Sequence, residues 1–263
     1  MSSTTTDPAA GPDGAEGRDP RTGVFVVFEG VEGAGKSTQI RRVAERLDAA
    51  GVPYVLAREP GGTEVGERAR AIVLDPELEM GPEAELFLYL AARAEFVRRI
   101  VAPALSRGEL VLADRYELST LAYQGGARGL GIERVREMNR FATGGLAPDL
   151  TVLLLIDPDR GRRRQSGTAD RLERERSEFH RAVAAAYARL AEGDDRIVTV
   201  RTEGSLDRVH ERIWAELARR WPAWFPADAE AAGNFSSPDE FHDRGTARDG
   251  PHTEAGKAGE GTE

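Results

Sequence analysis

The chain has no cysteine, and only two of its 36 basic residues, Lys36 and Lys257, are lysine. Without cysteine there is neither a disulfide framework nor a thiolate site. No run of about 18 apolar residues occurs, so a membrane-spanning helix is excluded. The first residues carry no apolar segment of the kind a secretory signal needs. A cytoplasmic location is therefore the expectation. Apolar residues are scarce at both ends, and such segments cannot bury enough surface to offset chain entropy. Residues 1–22 and 226–263 are accordingly expected to be disordered tails. They carry net formal charges of -2 and -6 of the total -9, which leaves the body, residues 23–225, near neutral. A near-neutral body offers no basic surface for nucleic acid. Its length suits one domain of ordinary size.

Within the body, apolar strand-like runs alternate with helix-like segments. Strands are expected at 23–30, 52–59, 109–116, 149–156 and 196–202. Helices are expected at 36–51, 82–108, 117–124, 132–143, 173–191 and 205–220. In the first helix Ile40, Val43, Ala44 and Leu47 form one stripe that stops at Gly51. Buried strands joined by helices imply an α/β fold with a parallel sheet of about five strands, covered on both faces. Ligands of such sheets sit beyond the carboxyl ends of the strands. Four polar clusters lie there, at 29–38, 58–63, 114–124 and 157–171.

The first cluster reads Gly30-Val31-Glu32-Gly33-Ala34-Gly35-Lys36-Ser37-Thr38. It matches G-x-x-x-x-G-K-[ST] between a strand and a helix. Glycines let the backbone aim its N–H groups at phosphate oxygens, and the helix N-terminus adds its positive end. Lys36 is placed for the outer phosphates and the Ser37 hydroxyl for Mg²⁺. A plain Gly-rich turn would need neither group. The lysine scarcity acts as an internal control: Lys257 lies in a tail, so the body uses arginine everywhere but at Lys36. A compact ammonium fits between phosphates where a planar guanidinium does not.

The other clusters supply an acceptor site. Arg115 can grip an anionic phosphate with its fork, and Asp114 either orients that arginine or acts near the metal. Ser119, Thr120 and Tyr123 follow at spacings that share a helical face. Arg58 ends a strand ahead of the turn Glu59-Pro60-Gly61-Gly62. Tyr89 and Arg93 stand four apart on the long helix, an aromatic face with a donor edge that suits a flat base.

Several stretches, in order, then make the chain resemble the thymidylate kinase family: FEGVEGAGKST, REPGGT, LFLYLAARAE, DRYELSTLAYQGGARG, APDLTVLLL and DRLE. The resemblance spans roughly residues 23–220. It implies a three-layer P-loop NTPase fold, Mg²⁺ as cofactor, usually a homodimer, and transfer of the γ-phosphoryl of ATP to dTMP to give dTDP. It places Gly30 through Thr38 on the ATP phosphates, and Ser37 and Asp114 are the residues expected at the metal. Glu32 would face the 3′-hydroxyl and phosphate region of the monophosphate. Arg58 and Arg115 would lie near its phosphate. Tyr89 would stack on thymine and Arg93 would bond O4. Ser119 and Thr120 would line base and sugar, and Tyr123 would crowd the 2′ position. The lid would be 157–171, where Arg162, Arg163 and Arg164 all stand, and the catalytic expectation rests on Lys36, Arg58, Arg115 and Arg164. Two departures stand out. The spacing from the arginine run to Asp170-Arg171 is short, and Leu155 holds a place where aspartate is common.

The chemistry needs no general base, because a phosphate monoester with a second pKa near 6 is already an oxyanion at neutral pH. Aligning and neutralising two polyanions is the whole task. Two rival readings stay open. A hydrolysing nucleotide switch would carry a guanine motif such as N-K-x-D, and the sequence has none. A non-catalytic nucleotide-binding relative is argued against by Lys36, Ser37 and Arg115, but Leu155 and the irregular lid fit it. A modified pyrimidine deoxynucleotide as the acceptor also stays open.

Overall fold

The computed structural model describes residues 23–164 and 169–227. The tail expectations, apart from residues 226 and 227, and the middle of the expected lid lie outside the described residues.

The sheet has five strands, all parallel, in the order β2-β3-β1-β4-β5. These are β1 (Val24–Glu29), β2 (Tyr54–Arg58), β3 (Leu110–Asp114), β4 (Leu150–Leu155) and β5 (Ile197–Arg201). All five match the expected runs, with ends one or two residues shorter. β1 is central and buried along its whole length. Its alternate side chains therefore feed two cores. Val24, Val26 and Phe28 pack with Ile40, Val43, Leu47, Val183 and Ile213 on one face. Phe25 and Val27 pack with Phe96, Val101 and Tyr116 on the other. Among the described residues this is the expected three-layer α/β arrangement.

The connecting helices are α1 (Lys36–Ala49), α2 (Glu64–Val73), α3 (Pro82–Phe96), α4 (Ala102–Ser106), α5 (Glu117–Thr120), α6 (Ile132–Thr143), α7 (Pro158–Arg162), α8 (Ser177–Ala191) and α9 (Leu206–Arg220). The long helix expected at 82–108 is α3 and α4 joined by a π-helical stretch, Val97–Val101. A second such stretch, Leu121–Ala127, prolongs α5. π-Segments often mark functional sites, and the second one carries Tyr123. Helices α2 and α7 were not expected. Thr63 starts α2 by accepting from the Gly66 N–H at 2.9 Å, and Asp157 starts α7 by accepting from the Arg160 N–H at 3.1 Å. Both are ordinary N-cap contacts.

Parallel register brings the strand ends level. Asp114 lies opposite Phe28 on one side and Arg58 on the other. The loops after β1, β2 and β3 thus open onto one cleft.

Candidate active site

The first wall of the cleft is the loop between β1 and α1. The N-cap of α1 is Gly35, at φ 91°, a left-handed conformation that favours glycine. No side chain caps this helix, and its first turn holds no acidic residue. The leading N–H groups therefore face the cleft with their donors and dipole uncompensated, the condition for binding an anion. Lys36 folds back into the loop, its Nζ donating to the Gly30 and Val31 carbonyls at 3.1 and 3.2 Å. Burial, and then the Arg115 charge, hold its pKa below the usual lysine value.

Ser37 Oγ donates to Asp114 Oδ2 at 2.9 Å. The other Asp114 oxygen, Oδ1, is buried without a hydrogen-bond partner. A hydroxyl and a carboxylate with a spare buried oxygen suit Mg²⁺, which takes one or two protein oxygens and completes its shell with phosphate and water.

The second wall is set by Arg115. It has φ 73° and is the one non-glycine residue with positive φ among the described residues. Its backbone N–H continues the sheet by donating to the Phe28 carbonyl at 2.9 Å. Strain of this kind persists where the surroundings over-determine it, and it clusters at functional sites. The surroundings here are plain. Glu29, fully buried at the end of β1, accepts from the N–H groups of Tyr116 and Ser119, from Ser119 Oγ and from the Tyr187 hydroxyl, all between 2.6 and 3.0 Å. That carboxylate pins the loop after β3. The Arg115 guanidinium then donates to the Gly30 carbonyl and Ser119 Oγ at 3.1 and 2.9 Å and pairs with Glu32. Burial works to raise the Glu32 pKa, but Lys36 and Arg115 overcome it and bring it down to about 2.

A cavity opens beside this pair. Its lining includes Glu32, Tyr89, Arg93, Arg115, Ser119, Thr120 and Tyr123, so these expected site residues are brought together. Arg58 is not on the lining. It is half-exposed and paired with Glu67 at 3.2 Å. The arginine of this segment that does line the cavity is Arg70, held by the Pro60 carbonyl at 3.0 Å. Of the expected site residues on this side of the cleft, Arg58 is therefore not brought to the cavity wall. Its side chain leaves the strand end toward α2, while Arg70 reaches in from α2.

Arg93 also differs from expectation. It is 1% exposed. Its Nη1 donates to Thr120 Oγ1 and Asn139 Oδ1 at 2.8 and 2.9 Å, and its Nη2 to the Tyr116 carbonyl at 2.9 Å. Nε and Nη2 both converge on Glu59 Oε2 at 2.7 Å. Four of the five guanidinium N–H groups are thus hydrogen-bonded, and Nη2 also lies against Glu59 as an ion pair. A base oxygen at this place has to share one of them. Glu59 Oε1 is left buried and unpartnered, and burial raises the Glu59 pKa to about 7 against the pull of Arg93.

Arg164 is exposed in the turn that follows α7, and Arg162 pairs with Asp159 at 3.2 Å. Asp170, near the end of the expected lid, and Leu172, just beyond it, line the cavity. Sequence reasoning missed Glu59, Arg70, Gln124 and Asp170 on the lining. It also missed Glu29, although a carboxylate closing a buried strand directly before the phosphate loop was a readable signal.

The glycine-rich loop before α1 thus faces the cavity across one ion pair, Glu32–Arg115. A sequence model of the thymidylate kinase family matches residues 28–213. The chain belongs to the thymidylate kinase family. The thymidylate kinase of Deinococcus radiodurans is 46% identical over 201 residues, covering 75% of this chain and 98% of that protein. Those of Halothermothrix orenii and Pelotomaculum thermopropionicum are 44% identical over 200 residues and 50% over 173, covering 74% and 64% of this chain and 96% and 80% of theirs. As a thymidylate kinase, the enzyme phosphorylates dTMP with ATP. No helix among the described residues is long and apolar enough to cross a membrane.

Proposed function

We propose that ATP and dTMP meet head to head across the Glu32–Arg115 pair. The observation that carries this is that Arg115 touches both sites: it bonds the Gly30 carbonyl of the phosphate loop and lines the cavity. Residues Gly30 to Thr38 cradle the ATP phosphates through backbone N–H groups, and Lys36 follows the transferred phosphoryl. Ser37 and Asp114 hold Mg²⁺, which neutralises charge on the donor phosphates. Arg115 and Arg70 grip the dTMP phosphate, and Glu32 lies beside its sugar. Arg58, one side chain outward, adds long-range positive potential.

In this reading Tyr89 stacks on the pyrimidine, Thr120 and Ser119 line base and sugar, and Tyr123 fills the space a 2′-hydroxyl needs. Thymine O4 shares a donor of Arg93. The lid supplies Arg164 to the phosphoryl in flight. None of these groups has to remove a proton, because the acceptor is already an oxyanion. Catalysis is then alignment and charge neutralisation. Two exposed aromatics, Phe87 on α3 at 58% and Phe141 on α6 at 92%, support a homodimer formed through these helices. We place the reaction in the cytoplasm.

The test is ADP release from ATP with a panel of nucleoside monophosphates, with and without Mg²⁺. Turnover that requires both dTMP and the metal is expected. Equal ADP release without any monophosphate would sink the head-to-head reading in favour of hydrolysis.

A further inference from the structure

The cavity has a second buried carboxylate that the proposed reaction does not use. Glu85 on α3 is 1% exposed and lies behind the lining. Its Oε1 accepts from Gln124 Nε2 at 2.7 Å and Arg128 Nε at 3.2 Å. Its Oε2 accepts from Arg128 Nη2 and Arg171 Nη2 at 3.0 and 2.5 Å. Arg171 is itself tied down, its Nε donating to the Val73 carbonyl at 2.9 Å. Of these partners, Gln124 is the one on the cavity wall, in company with Tyr89, Arg93 and Thr120.

An amide side chain has a donor end and an acceptor end, and its orientation follows from its partners. An ionised carboxylate only accepts. Burial pushes the Glu85 pKa up, but the bonds from Arg128, Gln124 and Arg171 bring it below the usual value, so it is ionised at neutral pH. Gln124 must therefore turn its NH₂ to Glu85, and the carbonyl is the end left for the cavity. Arg93 spends its hydrogen bonds on Glu59, Thr120, Asn139 and Tyr116, so this carbonyl stands beside Tyr89, Arg93 and Thr120 as a neutral acceptor on the wall. Thymine and uracil carry a donor at N3. Cytosine carries a lone pair there.

We propose that Glu85 is a specificity-determining positioning residue: by fixing the Gln124 amide with its carbonyl toward the pyrimidine edge, it makes the site accept N3–H and reject cytosine. This rests on the cavity being the dTMP site. Glu85 touches no substrate and acts through Gln124.

Glu85→Gln gives a test with a sign. Oε2 takes two arginine donors at 3.0 and 2.5 Å and Oε1 only the longer one from Arg128 Nε at 3.2 Å, so the new NH₂ is expected where Oε1 was. It then donates to the Gln124 carbonyl and turns the Gln124 NH₂ toward the cavity, where it repels N3–H and matches cytosine N3. Wild type and variant are compared by kcat/KM on dTMP, dUMP and dCMP. The dTMP to dCMP ratio is expected to fall at least about tenfold, because mispairing a buried polar group carries large penalties. Glu85→Asp keeps an accept-only group and is expected to keep the ratio even at reduced activity. A proportional loss on all three substrates in Glu85→Gln is what a merely structural carboxylate gives, and it overturns the proposal. If Glu85→Gln does not fold, Gln124→Met decides. A lowered dTMP to dCMP ratio supports the reading and an unchanged one overturns it. Wild-type enzyme that prefers dCMP would instead overturn the dTMP assignment of the cavity.

Discussion

Gly33 and Gly161 meet backbone to backbone: a Cβ on Gly33 would lie 2.0 Å from the Gly161 carbonyl oxygen, and one on Gly161 would lie 2.5 Å from the Glu32 carbonyl oxygen. The phosphate loop and α7 are seated on each other with no side chain between them. Gly161 has ordinary helical geometry, so close approach is its reason for being glycine. The contact fixes where α7, and the arginines that end it, stand relative to the phosphate loop.

Gly161→Ala is therefore expected to push α7 off the phosphate loop. Small displacements at a reacting centre can cost about 10²-fold in rate. We expect kcat to fall between about tenfold and a hundredfold, and KM for ATP to rise. KM for dTMP should stay within about twofold, since Gly161 lines no part of that cavity. Steady-state kinetics in both substrates checks this, and a wild-type kcat in Gly161→Ala sinks it.

Lys36 sits in a pocket of carbonyls that suits an ammonium. Its donors reach Gly30 and Val31 at 3.1 and 3.2 Å while 6% of the residue is exposed. A guanidinium in its place keeps the charge but is wider than the gap. Lys36→Ala and Lys36→Arg are both expected to lower kcat by about 10² to 10³-fold, the scale for losing one preorganised charge-stabilising group. Circular dichroism should be unchanged in both. Near-normal turnover by Lys36→Arg would show that charge alone suffices.

What was legible in the sequence follows from how local each signal is. The strands announced themselves because β1, β3 and β4 are buried almost throughout and so are apolar almost throughout. The phosphate loop was legible because its glycines and Lys36 act within a few residues. The Glu85 cluster was not, since its partners lie 39, 43 and 86 residues away. Arg58 and Arg70 looked alike in the sequence, and only the direction of α2 decides which reaches the cavity. Arg93 was found as a site residue, but its acceptors, Glu59, Tyr116 with Thr120, and Asn139, come from three separate segments. Helix α2 was lost behind the Gly61-Gly62 turn, because the Thr63 cap and the charged first turn were absorbed into the loop reading.

The Glu59–Arg93 pair makes a pH prediction. Burial raises Glu59 to about 7, with Arg93 opposing and Glu29 and Glu117 adding to the rise. In the unfolded chain a glutamate titrates near 4.3. Between these values the folded state holds the extra proton, so the contribution of this group to stability is full at low pH and is lost as pH rises through 7. The span corresponds to a change on the order of 3 kcal/mol. Glu59→Gln keeps the shape and cannot titrate. Denaturant unfolding of both proteins from pH 5 to pH 8 should give a difference curve in which wild type loses ground as pH rises. Parallel curves would show that Glu59 stays ionised throughout.

The C-terminal end of the domain makes the last prediction. The composition placed the boundary after residue 225, but the fold uses the next residue as well. Phe225 is fully buried and packs edge-on against Trp214 with ring centroids 5.5 Å apart. The Trp214 indole N–H donates to the Pro226 carbonyl at 3.2 Å. On its other side Trp214 carries the Arg46 guanidinium, 4.2 Å above the ring, and Arg46 pairs with Glu211 at 3.1 Å. This stack joins α9 to α1, and α1 is the helix whose N-terminus carries Lys36 and Ser37. A chain ending at Ala227 keeps every part of it and is expected to match the full-length protein in melting temperature and kcat. A chain ending at Trp224 loses a buried phenylalanine and the indole's acceptor. Removing such a side chain costs about 3–5 kcal/mol, which for a domain of this size lowers Tm by about 10 °C. Because the stack lies at the far end of α1 from Lys36, kcat at a permissive temperature should survive the cut. Thermal melts and initial rates on the two truncations check both halves. Equal melting temperatures would mean that Phe225 and Pro226 do not anchor α9.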